Sequence, residues 1–535
     1  MIEATYLDVL TRYPVATLAA GALLILLIRR LSQENSNKLS SLPTAPAKTP
    51  EQTSTEWLME SKLKFPDTPF VLPLDVETWV ILPHSLLNEV KAFPSDKVNF
   101  MRLNYERMQG RYTGIGQYDH DEGVAAIRND LTRNIARVIS DLQDEASFAL
   151  DKQVGDRPEW KEMWVYGDVL QTVSRLSART FVGYPLCRDE EWINKTINLT
   201  TDTLEGVNAI KKYHPWIRDI AAPFIPELRR IKENQKFIAN KLRSQVTSII
   251  AAAKESGDFQ KKPAGEDVSN EEVTDENHNL VHWVIKNFKD PEKVTAEEVG
   301  LVEIGVAFAA IHTTSMALSF AIFDLAARPE YIPELRKEIE GVIAEENYPD
   351  RKLRKTSMPK LKKLDSFVKE SQRWNPPGMI NMGRLVTAKQ GVTLSTGQHL
   401  PKGTFLGFGA PFAHGNKDPP KTVVTAKSQP PLSEFYPWRF SDLRTQAGQE
   451  TLHLHVSSDN NDTSFGVGRN ACPGRFFASN EIKTVLIELI KRYDIGIGPQ
   501  GQGAGGEFSK PEMLEFDTFY APDPYAKIYV RNRQV

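Results

Sequence analysis

A mainly helical fold with a small β region is what this sequence predicts, preceded by one membrane-anchoring helix. Apolar residues recur at helical spacing over several long stretches, while strand-like runs are short and few. The composition, 40% hydrophobic and 25% charged residues among 535, is ordinary for a globular protein. A formal net charge of −3 gives no reason to expect nucleic-acid binding. Two cysteines are too few for a disulfide framework or a four-thiolate metal site.

An apolar run from Tyr13 to Ile28 predicts that residues 1–31 form a single transmembrane anchor. As a helix, these sixteen residues span about 24 Å, which is short of the roughly 30 Å hydrocarbon core. The side chains of Arg12 and Arg29 can reach the interface and cover the difference. Because Arg29 and Arg30 follow the run, we expect the rest of the chain on the cytosolic side, and an uncleaved anchor is favoured over a signal peptide.

The chain after the anchor divides into a polar, proline-bearing linker at residues 32–55 and a globular domain at residues 56–535. Within the domain, Val71 to Leu82 is strand-like, and Phe100 to Gln117 is interpreted as an irregular, glycine-dotted loop over a pocket. Apolar spacing then predicts helix from Asp121 to Val154.

Further segments complete the expected order of elements. Residues Trp160 to Ala252 are helical by pattern, with breaks at glycine and proline. Leu361 to Trp374 and Arg475 to Arg492 are each predicted to form a single helix. The end of the chain, Leu514 to Tyr520 together with Lys527 to Val530, is interpreted as a β-hairpin.

The strongest helix signal runs from Val299 to Arg328. A capping box of Thr295 and Glu298 starts it, and Pro329 ends it. About 33 residues of helix span roughly 50 Å, enough to cross a whole domain. The helix is apolar around nearly its whole circumference, which is typical of the core of a large domain. Four polar residues at its middle argue against a second membrane span.

The rest of the chain is organised around Ser464 to Ala478, S-F-G-V-G-R-N-A-C-P-G-R-F-F-A. Gly466 and Gly468 allow a tight turn and close approach to a flat partner, because they have no Cβ. Cys472 lies at the start of a predicted helix, where Pro473 suits the first helical position. Free N–H groups and the positive dipole end stabilise a thiolate there, as a metal-ligating sulfur requires. From helix position alone, a buried structural thiol is the competing interpretation.

This string resembles the haem-ligand loop of the cytochrome P-450 family, F-G-x-G-x-R-x-C-x-G, and closely resembles its fungal form ending in C-P-G-R-F-F-A. The residues that match the family pattern are Phe465, Gly466, Gly468, Cys472 and Gly474. Where the family carries a basic residue two places before the cysteine, this chain has Asn470, with Arg469 one place earlier. The resemblance implies that Cys472 is the axial iron ligand of haem b. It also implies cofactor contacts by Phe465, Gly468 and Asn470.

Three residues elsewhere resemble the family's buried Glu–Arg–Arg cluster: Glu370, Arg373 and Arg439. The implied role is structural, bracing the cysteine loop through guanidinium hydrogen bonds. For the haem propionates, the resemblance points to Arg384 and, on the helix from residue 121 to residue 154, to Arg128. An ordinary solvated charge is the alternative for Arg128. The interval from Arg373 to Arg384 is one residue longer than in some members of the family.

The middle of the long helix, A-A-I-H-T-T at residues 309–314, resembles the family's distal motif of two small residues, an acid and a threonine. Ala309 and Ala310 would leave room for a diatomic ligand above the iron. The Thr313 hydroxyl could serve dioxygen and water, or only the helix's own carbonyls. His312 replaces the acid, and it could relay protons near neutral pH or be merely buried.

The resemblance implies a monooxygenase that oxidises an apolar small molecule with dioxygen, and similarity to fungal members implies a terpenoid or other secondary metabolite. The residues expected to line the substrate pocket include Ala309, Ala310, Ile380 and Phe519. An isomerase, dehydratase or peroxygenase with the same cofactor is the first alternative, since the distal acid is missing. A non-catalytic haem-binding protein is the second.

Electrons would come from NADPH through a cytochrome P-450 reductase, with cytochrome b5 left open as a second donor. Basic side chains near the cysteine helix could meet that acidic partner, namely Arg469, Arg475 and Lys483. With the anchor, the resemblance implies a single-pass protein of the endoplasmic reticulum membrane whose globular domain lies in the cytosol.

Overall fold

The computed structural model describes residue 39 and residues 41–75, 77–116, 121–256, 279–410 and 429–534. Most of its regular structure is helical, as predicted. The α-helices are α1 (Ser54–Lys64), α2 (Leu87–Ala92), α3 (Phe100–Arg107), α4 (Gly110–Thr113), α5 (Glu122–Ala125), α6 (Ile135–Gln153), α7 (Val165–Phe181), α8 (Glu190–Lys211), α9 (Arg218–Ala221), α10 (Pro226–Ser256), α11 (Leu280–Asn287), α12 (Ala296–Ala326), α13 (Ile332–Glu346), α14 (Lys362–Trp374), α15 (Arg439–Leu443) and α16 (Arg475–Arg492). The predicted anchor, residues 1–31, lies outside the described residues.

Short helical turns and small sheets complete the fold. A π-helical turn at Ala126–Leu131 follows α5. The 3-10 turns are His84–Leu86, Leu186–Arg188, Pro215–Ile217, Ala222–Phe224, Pro291–Lys293, Pro329–Tyr331, Met358–Lys360 and Gly468–Asn470. The strands are β1 (Phe70–Pro73), β2 (Thr78–Ile81), β3 (Val98–Asn99), β4 (Lys161–Trp164), β5 (Ile380–Val386), β6 (Val392–Thr393), β7 (His399–Leu400), β8 (Phe405–Gly409), β9 (Tyr493–Gly496), β10 (Met513–Phe516), β11 (Phe519–Pro522) and β12 (Lys527–Asn532).

The largest described sheet has five strands in the order β1-β2-β8-β5-β3. Its pairs are antiparallel except for β2 and β8, which run parallel. A second sheet has the order β4-β12-β9, and β10–β11 and β6–β7 form antiparallel two-stranded ribbons. The small β region that the sequence predicts is therefore confirmed, as a set of short strands beside the helical core.

The segment predicted as an irregular loop, Phe100 to Gln117, is helical over much of its described length, as α3 and α4. The Asn99 side chain caps α3 by accepting the Arg102 N–H at 2.8 Å. Gln109 and Gly114, with φ of 50° and 76°, delimit the single turn α4. The prediction is wrong here because helices of one or two turns carry too few residues to show a periodicity.

Two strand predictions are wrong in their pairing. Val71 to Leu82 is not one strand but most of the hairpin β1–β2. Near the end of the chain, the segment 514–520 already contains most of a hairpin, β10–β11, which turns at Asp517. The last strand, β12, therefore pairs with β4 and β9 instead, and β4 lies more than 350 residues earlier in the chain, as the pair Val530–Lys161 shows. Pairing over that separation leaves no local signal in a sequence.

The central helix of the fold is α12. The Thr295 hydroxyl accepts the Glu298 N–H and the Glu298 carboxylate accepts the Thr295 N–H, so the predicted capping box is present. The helix packs against α7, α8, α10, α14 and α16. Its mean hydropathy of 1.7 would suit a membrane span, but 61% of that window is buried inside the protein. It is therefore a core helix, and within the described ranges no other helix passes the same test of length and composition.

Part of the predicted linker lies against the five-stranded sheet. The Val71 N–H donates to the carbonyl of Pro43 at 2.8 Å, and the Ala45 N–H donates to the carbonyl of Val71 at 2.8 Å. Leu42 is 5% exposed and packs in the core beside this sheet. These residues are therefore fixed to β1, while the division into anchor, linker and domain stays a prediction.

A buried acid, Glu303, lies on α12 at the edge of a small cavity between α7, α8, α10 and α12. The cavity has a volume of about 20 Å³, enough for roughly one water molecule. The Oε1 atom of Glu303 has no hydrogen-bond partner in the part of the chain that the structure describes. Burial raises the pKa of Glu303 to about 8, so the carboxyl is protonated in the folded protein at neutral pH.

The free energy of unfolding should fall as the pH rises from about 5 to about 8, partly because Glu303 must ionise inside the core. The folded state, with a pKa of about 8, binds this proton more tightly than the unfolded chain does. The resulting stabilisation is complete below the pKa of the unfolded carboxyl and is lost as the pH approaches the folded pKa. In Glu303→Gln, the urea midpoint should depend less on pH than in the wild type. The exposed Glu330→Gln should keep the wild-type dependence, and equal slopes for E303Q and wild type would contradict this assignment.

Candidate functional site

Cys472 lies directly before α16, whose N-cap is Gly474. The backbone N–H groups of Gly474 and Arg475 lie close enough to its sulfur to lower the pKa of the thiol, and the Cys472 N–H donates to the carbonyl of Phe465 at 2.7 Å. Burial raises the pKa of the thiol, while these N–H groups and the Arg475 charge oppose the shift. The predicted bounds of the helix are confirmed, but Pro473 precedes the N-cap and does not occupy the first helical position.

The loop before Cys472 depends on two glycines. Gly466 and Gly468 have φ of 65° and 73°, a region that side chains rarely tolerate. A Cβ on Gly466 would lie 3.1 Å from the carbonyl oxygen of Asn470, and one on Gly468 would lie 2.8 Å from Cγ of Lys91. Both glycines are therefore required by the backbone itself.

An open stripe runs along the middle of α12. Gly305, Ala309 and Thr313 are spaced by four residues and so share one face of the helix. Ala309 and Thr313 are exposed although most of the helix is buried, and a Cβ built on Gly305 would meet no atom within 4 Å. Since α12 packs on α16, the two helices are neighbours in the core, and this face of α12 offers room for a flat group.

The Thr313 hydroxyl donates to the carbonyl of Ala309 at 2.7 Å, with the carbonyl of Ala310 at 3.4 Å. Its hydrogen is therefore engaged by the helix, while its oxygen keeps both lone pairs on an exposed side chain. The hydroxyl can thus accept a hydrogen bond from a water or ligand there. Both uses that the sequence left open for Thr313 are compatible with this geometry.

His312 is held between two other helices. Its Nε2 lies 3.2 Å from the carbonyl oxygen of Ile197 on α8, and its Nδ1 lies 3.1 Å from the hydroxyl of Tyr166 on α7. A carbonyl only accepts, so Nε2 carries the hydrogen and Nδ1 of the neutral ring accepts from Tyr166. Burial lowers the pKa of His312. The ring is therefore neutral at physiological pH and tied to α7 and α8.

Arg384 is buried, with 3% exposure. Its Nη1 donates to the carbonyl of Gly383 at 2.7 Å, and its guanidinium lies 5.4 Å from the ring centroid of Phe100. No carboxylate within the described ranges forms an ion pair with it. Burial lowers the pKa of Arg384 to about 10, which shows how strongly the site disfavours an uncompensated charge. Such a guanidinium suits an anionic group such as a haem propionate.

A β-bulge positions Arg384. The register of β5 against β8 shifts between Asn381 and Arg384, and Met382 has a φ of 56°. The Met382 sulfur accepts the N–H of Val467 at 3.3 Å, which joins the bulge to the cysteine loop. A bulge inserts one extra residue into a strand, so it accounts for the longer interval between Arg373 and Arg384.

The other cofactor candidates lie around the loop itself. Arg128 is exposed in the π-helical turn, and its Nη2 lies 3.5 Å from the carbonyl oxygen of Arg469. Asn470 is half-buried at the end of the 3-10 turn. Phe465 is half-buried and packs edge-on against His455, with ring centroids 5.3 Å apart. These contacts place all three beside the cysteine loop.

Glu370, Arg373 and Arg439, which the family resemblance groups together, form one hydrogen-bonded cluster. Arg373 makes a bidentate pair with Glu370 through two bonds of 2.7 Å, and Nε of Arg439 lies 3.3 Å from the same carboxylate. Glu370 and Arg439 are fully buried. Both guanidinium groups also donate to backbone carbonyls of the segment 430–434. The cluster therefore folds that segment against α14.

A second polar network on α14 does reach the loop, and sequence reasoning missed it. Lys369 pairs with Asp462 and donates to the carbonyl of Leu454 at 3.1 Å. Asp365 accepts from Lys483 at 2.9 Å and Arg444 at 3.1 Å. Burial acts to raise the pKa of Asp365, but Lys483 and its other donors outweigh burial and hold it below its ordinary value.

The prediction that Lys483 faces an electron-donating partner is wrong, because its side chain is 8% exposed and paired with Asp365. Lys483 lies on the buried side of α16 because it pairs there with the buried carboxylate of Asp365. Arg469 is exposed, and Arg475 is half-buried and donates to the carbonyl of Cys472 at 2.9 Å.

Ile380 and Phe519 lie on neighbouring segments. Gly378, two residues before Ile380, forms an isolated bridge with Phe519, and the Met379 N–H donates to the carbonyl of Thr518 at 2.9 Å. Phe519 begins β11, which contacts α12, and its ring is 40% exposed. Ile380 is half-buried at the start of β5.

Together, these features fit one kind of protein. A half-buried sulfur just before a helix, an open stripe on a helix that packs against it and a buried arginine with no ion pair among the described residues suit an iron porphyrin bound by a cysteine. The fold and site thus define a haem–thiolate protein.

Comparison with known proteins agrees. The family model described as cytochrome P-450 matches residues 201–504. The chain is similar to cytochrome P-450 monooxygenase ascG of Acremonium egyptiacum, with 36% identity over 481 residues, 88% of this chain and 87% of that protein. It is also similar to cytochrome P-450 monooxygenase BOA4 of Botryotinia fuckeliana, with 34% identity over 524 residues, 97% of this chain and 96% of that protein. The chain belongs to the cytochrome P-450 family and is a monooxygenase of the haem–thiolate type.

Cys472→Ser should abolish the thiolate-type spectrum of the carbon-monoxide complex of the reduced protein, because serine supplies no thiolate to the iron. The other cysteine gives a matched control. Cys187 is fully buried, and burial raises the pKa of its thiol to about 12, so Cys187→Ser should leave that spectrum unchanged. A thiolate-type spectrum that persists in C472S would show that Cys472 is not the ligand.

Glu370→Gln should lower the free energy of unfolding by about 3–5 kcal/mol, because it leaves two buried guanidinium groups without their carboxylate. Glu488→Gln is the control, since Glu488 pairs with Lys491 at the same spacing of three residues but with the lysine 33% exposed. We expect that change to cost under about 1 kcal/mol. Denaturant unfolding of both variants measures the difference, and equal losses would contradict a buried network.

Proposed function

We propose that this monooxygenase inserts an oxygen atom from dioxygen into an apolar small molecule, a terpenoid or other secondary metabolite. The observation that carries this proposal is the open stripe of α12, where small side chains and one hydroxyl are exposed on a helix that packs against α16. Ala309, Ala310, Ile380 and Phe519 would supply apolar walls to that space. An apolar lining favours a hydrophobic substrate over a charged one.

The cofactor would be haem b, which supplies dioxygen activation when bound. Cys472 would hold its iron, and Arg384 and Arg128 would pair with its propionates. The support for this role is stronger for Arg384, which is buried, than for Arg128, which is exposed. Phe465, Gly468 and Asn470 would contact the porphyrin from the loop side.

Thr313 would fix a water beside the cofactor by accepting a hydrogen bond from it, because its own hydrogen is engaged by the helix. His312 would store and pass a proton. Its ring is neutral and can take one up at Nδ1, with the Tyr166 hydroxyl then turning from donor to acceptor. For direct delivery to Thr313, the ring would have to leave the carbonyl of Ile197.

Electrons would come from NADPH through a cytochrome P-450 reductase. Arg469, exposed beside the cysteine loop, is available to an acidic partner surface. A single-pass anchor at residues 1–31 and a linker at residues 32–55 would tether a catalytic domain, residues 56–535, to the cytosolic face of the endoplasmic reticulum.

The experiment that tests this function uses the full-length holoprotein in membranes with reductase, NADPH and isotopically labelled dioxygen. A panel of terpenoids and other apolar metabolites is offered as substrate. The proposal expects one labelled oxygen atom in a product from at least one apolar compound. Conversion that needs neither NADPH nor dioxygen would instead indicate an isomerase or dehydratase.

Thr313→Ala should uncouple NADPH oxidation from product formation, so that more hydrogen peroxide is released per NADPH, because the hydroxyl that orders water beside the iron is lost. Thr313→Ser is the matched variant, since it keeps the hydroxyl and should retain most of the coupling. Peroxide and product are measured against NADPH consumed. Unchanged coupling in T313A would remove Thr313 from the catalytic site.

A further inference from the structure

We propose that Arg107 is a positioning residue that pins Phe519 in the wall of the substrate pocket and connects that wall to the end of α8. The proposal rests on the proposed function, because it takes Phe519 as a pocket residue. It concerns a charged cluster that none of the sequence motifs contains.

The guanidinium of Arg107 is sandwiched between two rings. Its central carbon lies 5.1 Å from the ring centroid of Phe519 and 5.3 Å from that of Trp79. Arg107 is 7% exposed, so this stacking takes place largely out of water, where a cation–ring contact is strongest. Trp79 is 2% exposed and is therefore fixed in the core. Arg107 stacks between it and the more exposed ring of Phe519.

The same guanidinium grips the turn that carries Phe519. Its Nη2 donates to the Thr518 hydroxyl at 2.9 Å and pairs with the Asp517 carboxylate. Asp517 has a φ of 53°, so the turn between β10 and β11 is tight. Arg107 therefore fixes both the backbone position of the turn and the face of the neighbouring ring.

The network continues to a third element. Nε of Arg107 donates to Glu77 at 2.9 Å, and the other oxygen of Glu77 pairs with Lys211 at 3.1 Å. Lys211 is the last residue of α8, and the Glu77 side chain is 8% exposed. Two cations and two anions thus compensate each other in a largely buried cluster, which makes it costly to remove one member.

Helix α3 links this cluster to the candidate cofactor site. Phe100 at its start stacks on Arg384, and Arg107 is its last residue. Eight helical residues span about 12 Å, so one short rigid element joins the two arginines. A shift of Phe519 would therefore be resisted by α3, by the β1–β2 turn and by α8 together. We infer that the cluster sets the width of the pocket beside Phe519.

The test measures how the ferric holoprotein binds two probes that ligate haem iron through nitrogen: imidazole, which is small, and 1-phenylimidazole, which needs space beside the iron. Arg107→Lys keeps the charge but loses the planar fork and the stacking. In R107K, the ratio of the two dissociation constants should change by about fivefold or more. Arg111→Lys is the control, because Arg111 is 68% exposed and pairs with the surface residue Asp219; its ratio should change by less than about twofold.

A double-mutant comparison separates positioning from general destabilisation. Phe519→Ala should change the ratio by itself, and adding R107K to F519A should change it no further, since Arg107 acts through Phe519. Asp517→Asn, a smaller perturbation of the same turn, should shift the ratio in the same direction as R107K. Additive effects of R107K and F519A would overturn the proposal, as would an unchanged ratio in both R107K and D517N. Labelled oxygen could still be incorporated normally in that case, so the proposal can fail while the proposed function stands.

Discussion

The position of the Cys472 sulfur just before α16 imposes the main constraint on this molecule, because the backbone N–H groups of Gly474 and Arg475 act there to lower the pKa of its thiol. A buried sulfur can carry negative charge only where donors of this kind compensate it. The loop before it must therefore deliver the cysteine to one position, and the positive φ values of Gly466 and Gly468 show how tightly the chain turns to do so. Because α16 packs on α12, the same constraint fixes the distance between the sulfur side and the open stripe.

Helix α14 supports this arrangement from outside with two separate sets of charges. Arg373, paired with Glu370, holds the segment 430–434 through backbone carbonyls, while Lys369 pairs with Asp462 just before the cysteine loop and Asp365 pairs with Lys483 on α16. All four side chains lie on three turns of one helix, so the two sets move as a unit. A largely polar face of α14 can point into the protein because each of these charged side chains has a partner there.

Local chemistry was the predictable part of this site. The cysteine loop and the bounds of α16 depend on glycine conformation and helix starts, which neighbouring residues decide. The pair Glu370–Arg373 follows from helical spacing in the same way. The Asp365 and Lys369 networks could not be predicted, because their partners are distant in the chain and a polar residue on a helix usually faces water. The short helices α3 and α4 and the pairing of β12 were missed for the related reason that they leave no periodic signal.

In its proposed role, His312 would tie proton supply to the architecture around it. Its ring spans from the Tyr166 hydroxyl on α7 to the carbonyl of Ile197 on α8, so it cannot swing toward Thr313 while α8 keeps its place. The other end of α8 is held by the pair Lys211–Glu77. A compound that pushes α8 outward as it binds would break the hydrogen bond between the His312 ring and the carbonyl of Ile197. Without a bound compound, the His312 imidazole would stay on the carbonyl of Ile197 and could not deliver a proton to Thr313. Binding of the compound would itself release the ring.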